Sequence, residues 1–371
     1  MQPIYDAAII GGGPAGSTAA NLLAQHGRRV VVLEREKFPR FHIGESLLPY
    51  SLATFDRLGV RGKLDATALD KRGAEVATAC GSRMQKFHFA TGFNLRHTRS
   101  YQVERAVFDQ MLLETARERG AEVREGTRVQ SVAFASDEVV IKTASGEVRA
   151  RYLIDASGRH TVLGQQLHLK EAYPHLRKFS CFAHYENVQR DEGEDAGLTR
   201  LVRAHDHWFW LIPIDATRTS IGVVLEIEAF RAAGETPETT LDRCLAASAL
   251  MTSRLRDARR VTPVHSVGDY SYRHRRLTGE RWMLAGDAAG FIDPIFSTGV
   301  FLAIHSGEQC ADTLHAVLAA PEKRARLFAR YERGLHRVMD KYLRFVTAWY
   351  RPEFIEVFTS PTQKLDLAAA V

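Results

Sequence analysis

The sequence predicts an α/β protein: a parallel-sheet domain interleaved with a β-sheet substrate region and closed by a short helical C-terminal segment. Three observations predict it. An apolar strand at Ala7–Ile10 runs straight into Gly11-Gly12-Gly13-Pro14-Ala15-Gly16 and a helix-like stretch. Two later apolar strands break at polar turns, one at Asp155-Ala156-Ser157-Gly158 and one at Gly286-Asp287. The segments between these motifs are β-rich, with no internal repeat and no low-complexity linker.

The 371 residues are enough for a substantial core and two interleaved domains. Apolar residues at 45% and charged residues at 25% match globular averages, which excludes disordered and fibrous classes. Cys80, Cys181, Cys244 and Cys310 lie far apart without metal-ligand spacing, so no metal site is expected and a reducing, cytoplasmic setting fits. The N-terminal residues lead directly into a strand and carry no export signal. The longest apolar stretch, Met283–Ile304, contains Asp287, Asp293 and Pro294, which would be costly in a bilayer; it reads as buried protein rather than a membrane span. The net charge is +6, but the arginines are spread along the chain with no nucleic-acid motif beside them. A solvated basic surface is expected, with no nucleic-acid partner.

Taken in order, the first element is a dinucleotide turn in its required context. Gly11 permits the tight turn, Gly13 lets the backbone approach a pyrophosphate, and Gly16 lets the following helix, Ser17–His26, pack on the strand; Pro14 and Ala15 complete the turn. A second strand, Arg28–Leu33, ends at Glu34, whose carboxylate suits the hydroxyls of an unphosphorylated ribose. This much is Rossmann-like and leaves NAD and FAD both open. The Asp155 and Gly286-Asp287 turns add two further strand ends that could converge with the first on one extended cofactor. Arg105 taken alone reads as a surface helix arginine.

GGGPAG, the DASG turn and the GDAAGFIDP segment, in this order and spacing, resemble the FAD-binding framework of the para-hydroxybenzoate-hydroxylase-like flavoproteins over nearly the whole chain. The resemblance implies FAD as cofactor. It implies that Asp287 holds the ribityl chain, that Asp155, Gly158 and Gly286 support the cofactor fold, and that Arg105 contacts the phosphate and ribose region. The flavin-domain segments are expected at residues 1–69, 99–164 and 270–318, the substrate domain at 70–98 and 165–269, and a helical C-terminal cap at 319–371. In that cap Tyr342, Phe345, Trp349, Tyr350, Phe354 and Phe358 gather around Pro352.

Within that group the chain most resembles the flavin-dependent halogenases. Arg40-Phe41-His42-Ile43-Gly44-Glu45-Ser46-Leu47-Leu48-Pro49 resembles a segment shared by halogenases and geranylgeranyl-reductase relatives, which implies that Arg40, Glu45 and Ser46 lie near the flavin. Trp208-Phe209-Trp210-Leu211-Ile212-Pro213 is similar to the halogenase W-x-W-x-I-P motif, and strand alternation puts both indoles on one face. Asp293-Pro294-Ile295-Phe296-Ser297-Thr298-Gly299 resembles the flavin-facing stretch whose Thr298 and Gly299 amides would bind chloride, an anion nest in chemical terms. Phe296 stands where tryptophan halogenases carry a glutamate, which points away from free tryptophan and toward the phenol- and carrier-protein-acting branch. Lys71-Arg72-Gly73-Ala74 resembles the segment of the catalytic lysine, while a solvated lysine in a charged stretch is the competing reading.

The function so implied is halogenation of an electron-rich aromatic, phenolic, pyrrolic or carrier-tethered, through a flavin hydroperoxide and hypohalous acid. Reduced FAD would come from a separate flavin reductase, and chloride or bromide is the cosubstrate. An aromatic monooxygenase, a geranylgeranyl-reductase-like oxidoreductase and a silent flavoprotein partner remain the alternatives. The chain stops earlier than many halogenases, which suggests a pocket open to a large or protein-tethered substrate.

Overall fold

A computed structural model describes residues 4–91, 97–351 and 353–354. Its first sheet runs Glu122–Arg124, Val30–Leu33, Tyr5–Ile10, Gly146–Asp155, all parallel, with Trp282–Leu284 beside the end of the last; Val139–Thr143 and Val129–Phe134 continue it antiparallel. Its central strands are runs of Val, Ile, Leu and Ala buried on both faces, as a parallel sheet covered by helices requires. The register sets Ile10 beside both Leu33 and Asp155, and Asp155 beside Leu284. The glycine turn, Glu34, the 155–158 turn and Gly286 therefore leave the sheet at one edge.

The first helix spans Pro14–Gln25, with Pro14 at its start and no side chain capping its N-terminus. It begins three residues earlier than the composition suggests, because proline at the first position is preorganised for a helix. The second strand begins at Val30 rather than Arg28. The Thr298–Ala319 helix crosses the first helix so closely that a Cβ on Gly307 would collide with the Ala15 carbonyl.

The second sheet runs Arg259–Arg260, Lys178–Glu186, Arg218–Glu226, His207–Pro213, Thr199–Arg203, Gly73–Thr78, Met84–His88, with His265–Gly268 beside Lys178–Glu186. Alternation splits each strand between two cores. Phe182, Trp208, Trp210 and Val224 join the main core, whereas Phe209, Leu211, Ile221 and Val223 face a second one closed by Leu241, Cys244, Leu245 and Met251. Those last side chains lie on the helices Pro237–Ala246 and Ala249–Arg254, which the strand-like composition of the region conceals. The chain finishes on the helix Arg324–Trp349, packed on Thr298–Ala319. Pro352 and Phe358 lie outside the described residues. No helix among the described residues is long and apolar enough to cross a membrane.

Candidate active site

A cavity of about 1100 Å³ opens between the two sheets and runs from the glycine turn to the paired indoles. At one end its wall is backbone. Gly11, at φ 99°, leaves no room for a Cβ against the Ala156 carbonyl, and a Cβ on Gly16 would strike the Gly11 carbonyl. Gly13, Pro14 and Ala15 line the cavity directly behind that turn; Gly16 does not, and its part is to seat the helix. Glu34 accepts from Gly12 N at 2.6 Å and from Glu36 N at 2.8 Å, which fixes its carboxylate at the cavity wall. Arg35, Arg40, Arg128 and Arg159 stand around the same end, supplying positive charge for a pyrophosphate. A Cβ-free turn, unpaired helix amides, cations and a ribose-facing acid together fit a dinucleotide.

The other cofactor candidates divide by role. Gly158, Gly286 and Asp287 line the cavity, and burial pushes the Asp287 carboxyl up to about 6 despite Arg105 and Arg159 nearby. Asp155 is fully buried and does not reach the cavity; its oxygens accept from Ser157 N at 3.0 Å and Leu163 N at 2.7 Å, tying the turn. Arg105 is buried rather than a surface side chain. It forks onto Asp109 at 2.7 and 2.9 Å and donates to the carbonyls of Ile43 at 2.7 Å and Gly44 at 3.3 Å. Arg40 shares Asp109 at 3.0 Å. The two arginines thereby pin the loop that carries Glu45 and Ser46, all four lining the cavity.

The opposite end is built from side chains. Trp208 and Trp210 line it side by side, ring centroids 6.1 Å apart. Gly222, across the strand pair, makes room for Trp210, because a Cβ there would run into the indole. Trp210 Nε1 donates to Ser220 Oγ at 3.2 Å and Trp208 Nε1 to Tyr350 Oη at 3.0 Å. Tyr350 Oη in turn donates to Asp293 Oδ2 at 2.9 Å, so the end of the C-terminal helix holds one indole and the Asp293-Pro294 turn together. Burial pushes Asp293 up to about 6. Pro294, Ser297 and Gly299 line the cavity at the start of the Thr298–Ala319 helix; Thr298 is buried behind them. Ser297 sits at φ 55° and makes the sharp turn that aims this helix start.

Lys71 is fully buried, which rules out the solvated reading. It does not line the cavity. Its Nζ donates to Leu47 O at 3.1 Å, lies 5.4 Å from the Phe89 ring centroid, and is pushed down from 10.5 to about 7 by burial. Phe296 is buried in an edge-to-face cluster with Phe345 and Trp349, away from the cavity wall.

Sequence reasoning missed several members. His184 Nε2 meets Glu45 Oε1 at 2.6 Å, while Glu45 Oε2 is buried without a partner among the described residues. Ser180 and Tyr270, bonded at 2.9 Å, and Phe182 and His265 complete that wall. Arg159, directly after the DASG turn, was findable by its place; the others come from strands and a connecting loop with no motif.

Comparison with known proteins agrees with this geometry. The FAD binding domain family matches residues 5–346. The 1H-pyrrole-2-carbonyl-[peptidyl-carrier protein] chlorinase of Pseudomonas fluorescens is 31% identical over 98% of this chain and 88% of its own. The corresponding brominase of Pseudoalteromonas luteoviolacea is 30% identical over 94% of this chain and 87% of its own. Among solved structures, the myxobacterial chondrochloren halogenase superposes with a TM-score of 0.88 at 32% identity, covering 98% of this chain and 85% of that one.

Proposed function

Because the chain belongs to the flavin-dependent halogenase family of FAD-binding oxidoreductases, we propose that it halogenates an electron-rich phenolic or pyrrolic ring, free or tethered to a carrier protein. One observation carries the reading: a single cavity whose glycine-lined end suits FAD and whose far end is walled by Trp208 and Trp210. Both relatives whose names specify pyrrole act on it while it is bound to a peptidyl-carrier protein, which supports the tethered form.

Reduced FAD, with dioxygen, supplies the oxidising power that turns a halide into hypohalous acid. The protein's part is to hold, orient and exclude. Gly11, Gly13 and the helix start at Pro14 receive the pyrophosphate, Glu34 the adenosine ribose, and Asp287 the ribityl chain. Chloride or bromide is held by the amides of Thr298 and Gly299, with Ser297 setting the turn; successive amides at a helix start make an anion site. The two indoles wall the region and keep water from the oxidant. Lys71, which the resemblance assigns to the oxidant, lies behind the Glu45–Leu47 segment and off the cavity wall; in this reading hypohalous acid passes that segment to reach it, and its amine, poised near pH 7, would hydrogen-bond the acid or form a haloamine and direct it onto the ring. Reduced flavin comes in this reading from a separate flavin reductase, as the resemblance to the halogenases implies. Four free cysteines support a reducing, cytoplasmic setting.

The test is mass spectrometry of products from phenol, pyrrole and indole panels, free and carrier-bound, with FAD-loaded protein, a flavin reductase, dioxygen and either halide. Halogen isotope patterns that follow the added halide are expected. Gain of one oxygen irrespective of halide would replace the reading with aromatic hydroxylation.

A further inference from the structure

We infer that the exposed basic face of the Arg324–Trp349 helix is the docking surface for an acidic carrier protein bearing the aromatic substrate, an inference that rests on the tethered-substrate reading above. In the sequence these cations look scattered. On the helix, Arg326, Arg330, Arg333, Arg337, Lys341 and Arg344 are spaced by four, three, four, four and three residues, and all six are exposed. That spacing follows the 3.6-residue turn, so they form one stripe about 27 Å long at 1.5 Å per residue.

None of the six has an ion pair or side-chain hydrogen bond among the described residues, although much of the remaining surface is laced with ion pairs. The helix's two acids are engaged elsewhere: Glu332 accepts from Leu277 N at 2.6 Å and Thr278 N at 3.1 Å, and Asp340 faces Arg273 at 3.9 Å. Like charges three and four residues apart repel and weaken a helix, so the row carries a local cost with no local compensation. A partner with a matching row of carboxylates would relieve it and be steered onto it.

The position suits delivery. The stripe ends at Arg344, six residues before Tyr350, whose hydroxyl holds Trp208 at the cavity end. A membrane surface fits less well, because none of the exposed large apolar side chains among the described residues lies on this helix, and an interfacial helix needs them.

The experiment titrates a fluorescently labelled peptidyl-carrier protein, loaded with 1H-pyrrole-2-carbonyl, with the FAD-loaded enzyme and follows anisotropy. The wild type is expected to lose affinity about tenfold between low and physiological salt, and Arg330→Glu/Arg337→Glu to lose at least about tenfold at low salt with a melting temperature no lower than the wild type's. Arg330→Gln/Arg337→Gln, a milder change to the fold, should lose part of that. Unchanged affinity in both variants, or no wild-type binding, overturns the inference. So does preferential binding of a short DNA duplex or an anionic vesicle that the same variants abolish. Salt-dependent carrier binding without halogenated product would leave the docking surface standing and defeat the functional reading instead.

Discussion

The two ends of the cavity are made of different material. The glycine end is backbone: strand ends aligned by register, a turn that tolerates no Cβ at Gly11, and helix amides left uncapped. The indole end is side chain, assembled from the strands carrying His184, Trp208 and Gly222, the Asp293 turn and the last residues of the C-terminal helix. Backbone sites tolerate almost no substitution at their few glycines. Side-chain sites store their cost in burial, as where Asp293 sits with its carboxyl pushed up to about 6.

The sharpest way to break the comparison is at Gly11. Gly11→Ala puts a methyl into the Ala156 carbonyl at a positive φ, and a loss on the order of 4 kcal/mol or more is expected, read as little FAD-bound protein and an early melt. Gly158→Ala, also at positive φ (66°) but facing open space, should cost only about 1 kcal/mol. If the two cost the same, the close approach is not what makes Gly11 necessary.

Next is Lys71→Met, which should stabilise the protein by on the order of 4 kcal/mol at pH 7. The folded site sheds a proton that the unfolded chain keeps up to about 10.5, so the deficit is full below pH 7 and lifts as pH rises toward 10.5. Melts of wild type and variant across that window should converge at the alkaline end; a gap independent of pH would contradict the buried-amine account.

Gly222→Ala should cost about 2 kcal/mol by displacing Trp210, shift the tryptophan emission, and lower product formation while FAD affinity holds. A variant that loses FAD instead would show that the two ends are not separable. The smallest effect is expected from Asp293→Asn. With its carboxyl pushed up to about 6, folded Asp293 keeps its proton after the unfolded chain has lost it, so wild-type stability falls as pH rises from about 4 through 6. The variant should remove a component on the order of 1–2 kcal/mol from that decline, measured by melts at pH 4.5 and 7.

Legibility followed the same division. The 11–16 turn, Glu34 and the strand ends could be read because local order dictates them: a strand, glycines at fixed steps, a helix. Trp208 and Trp210 were legible as a face, since alternation is local too. Arg105 taken alone misled, as a surface helix arginine, for nothing in its neighbourhood shows that Asp109 and the 43–44 carbonyls will take its guanidinium. His184 was invisible, and Tyr350 was legible only as a member of an aromatic cap, because their partners are 139 and 142 residues away. Lys71 was undecidable: burial is a property of the packed sheet, and Asp70 and Arg72 on either side suggest water.

The most direct test of the central claim is Lys71→Met assayed with the cofactor loaded, following reduced-flavin consumption spectroscopically and halogenated product by mass. The account predicts unchanged FAD affinity, flavin oxidation near the wild-type rate, and product lower by a factor of about 100 or more, a loss of the size expected for removing an essential directing group. Full halogenation by Lys71→Met would contradict it.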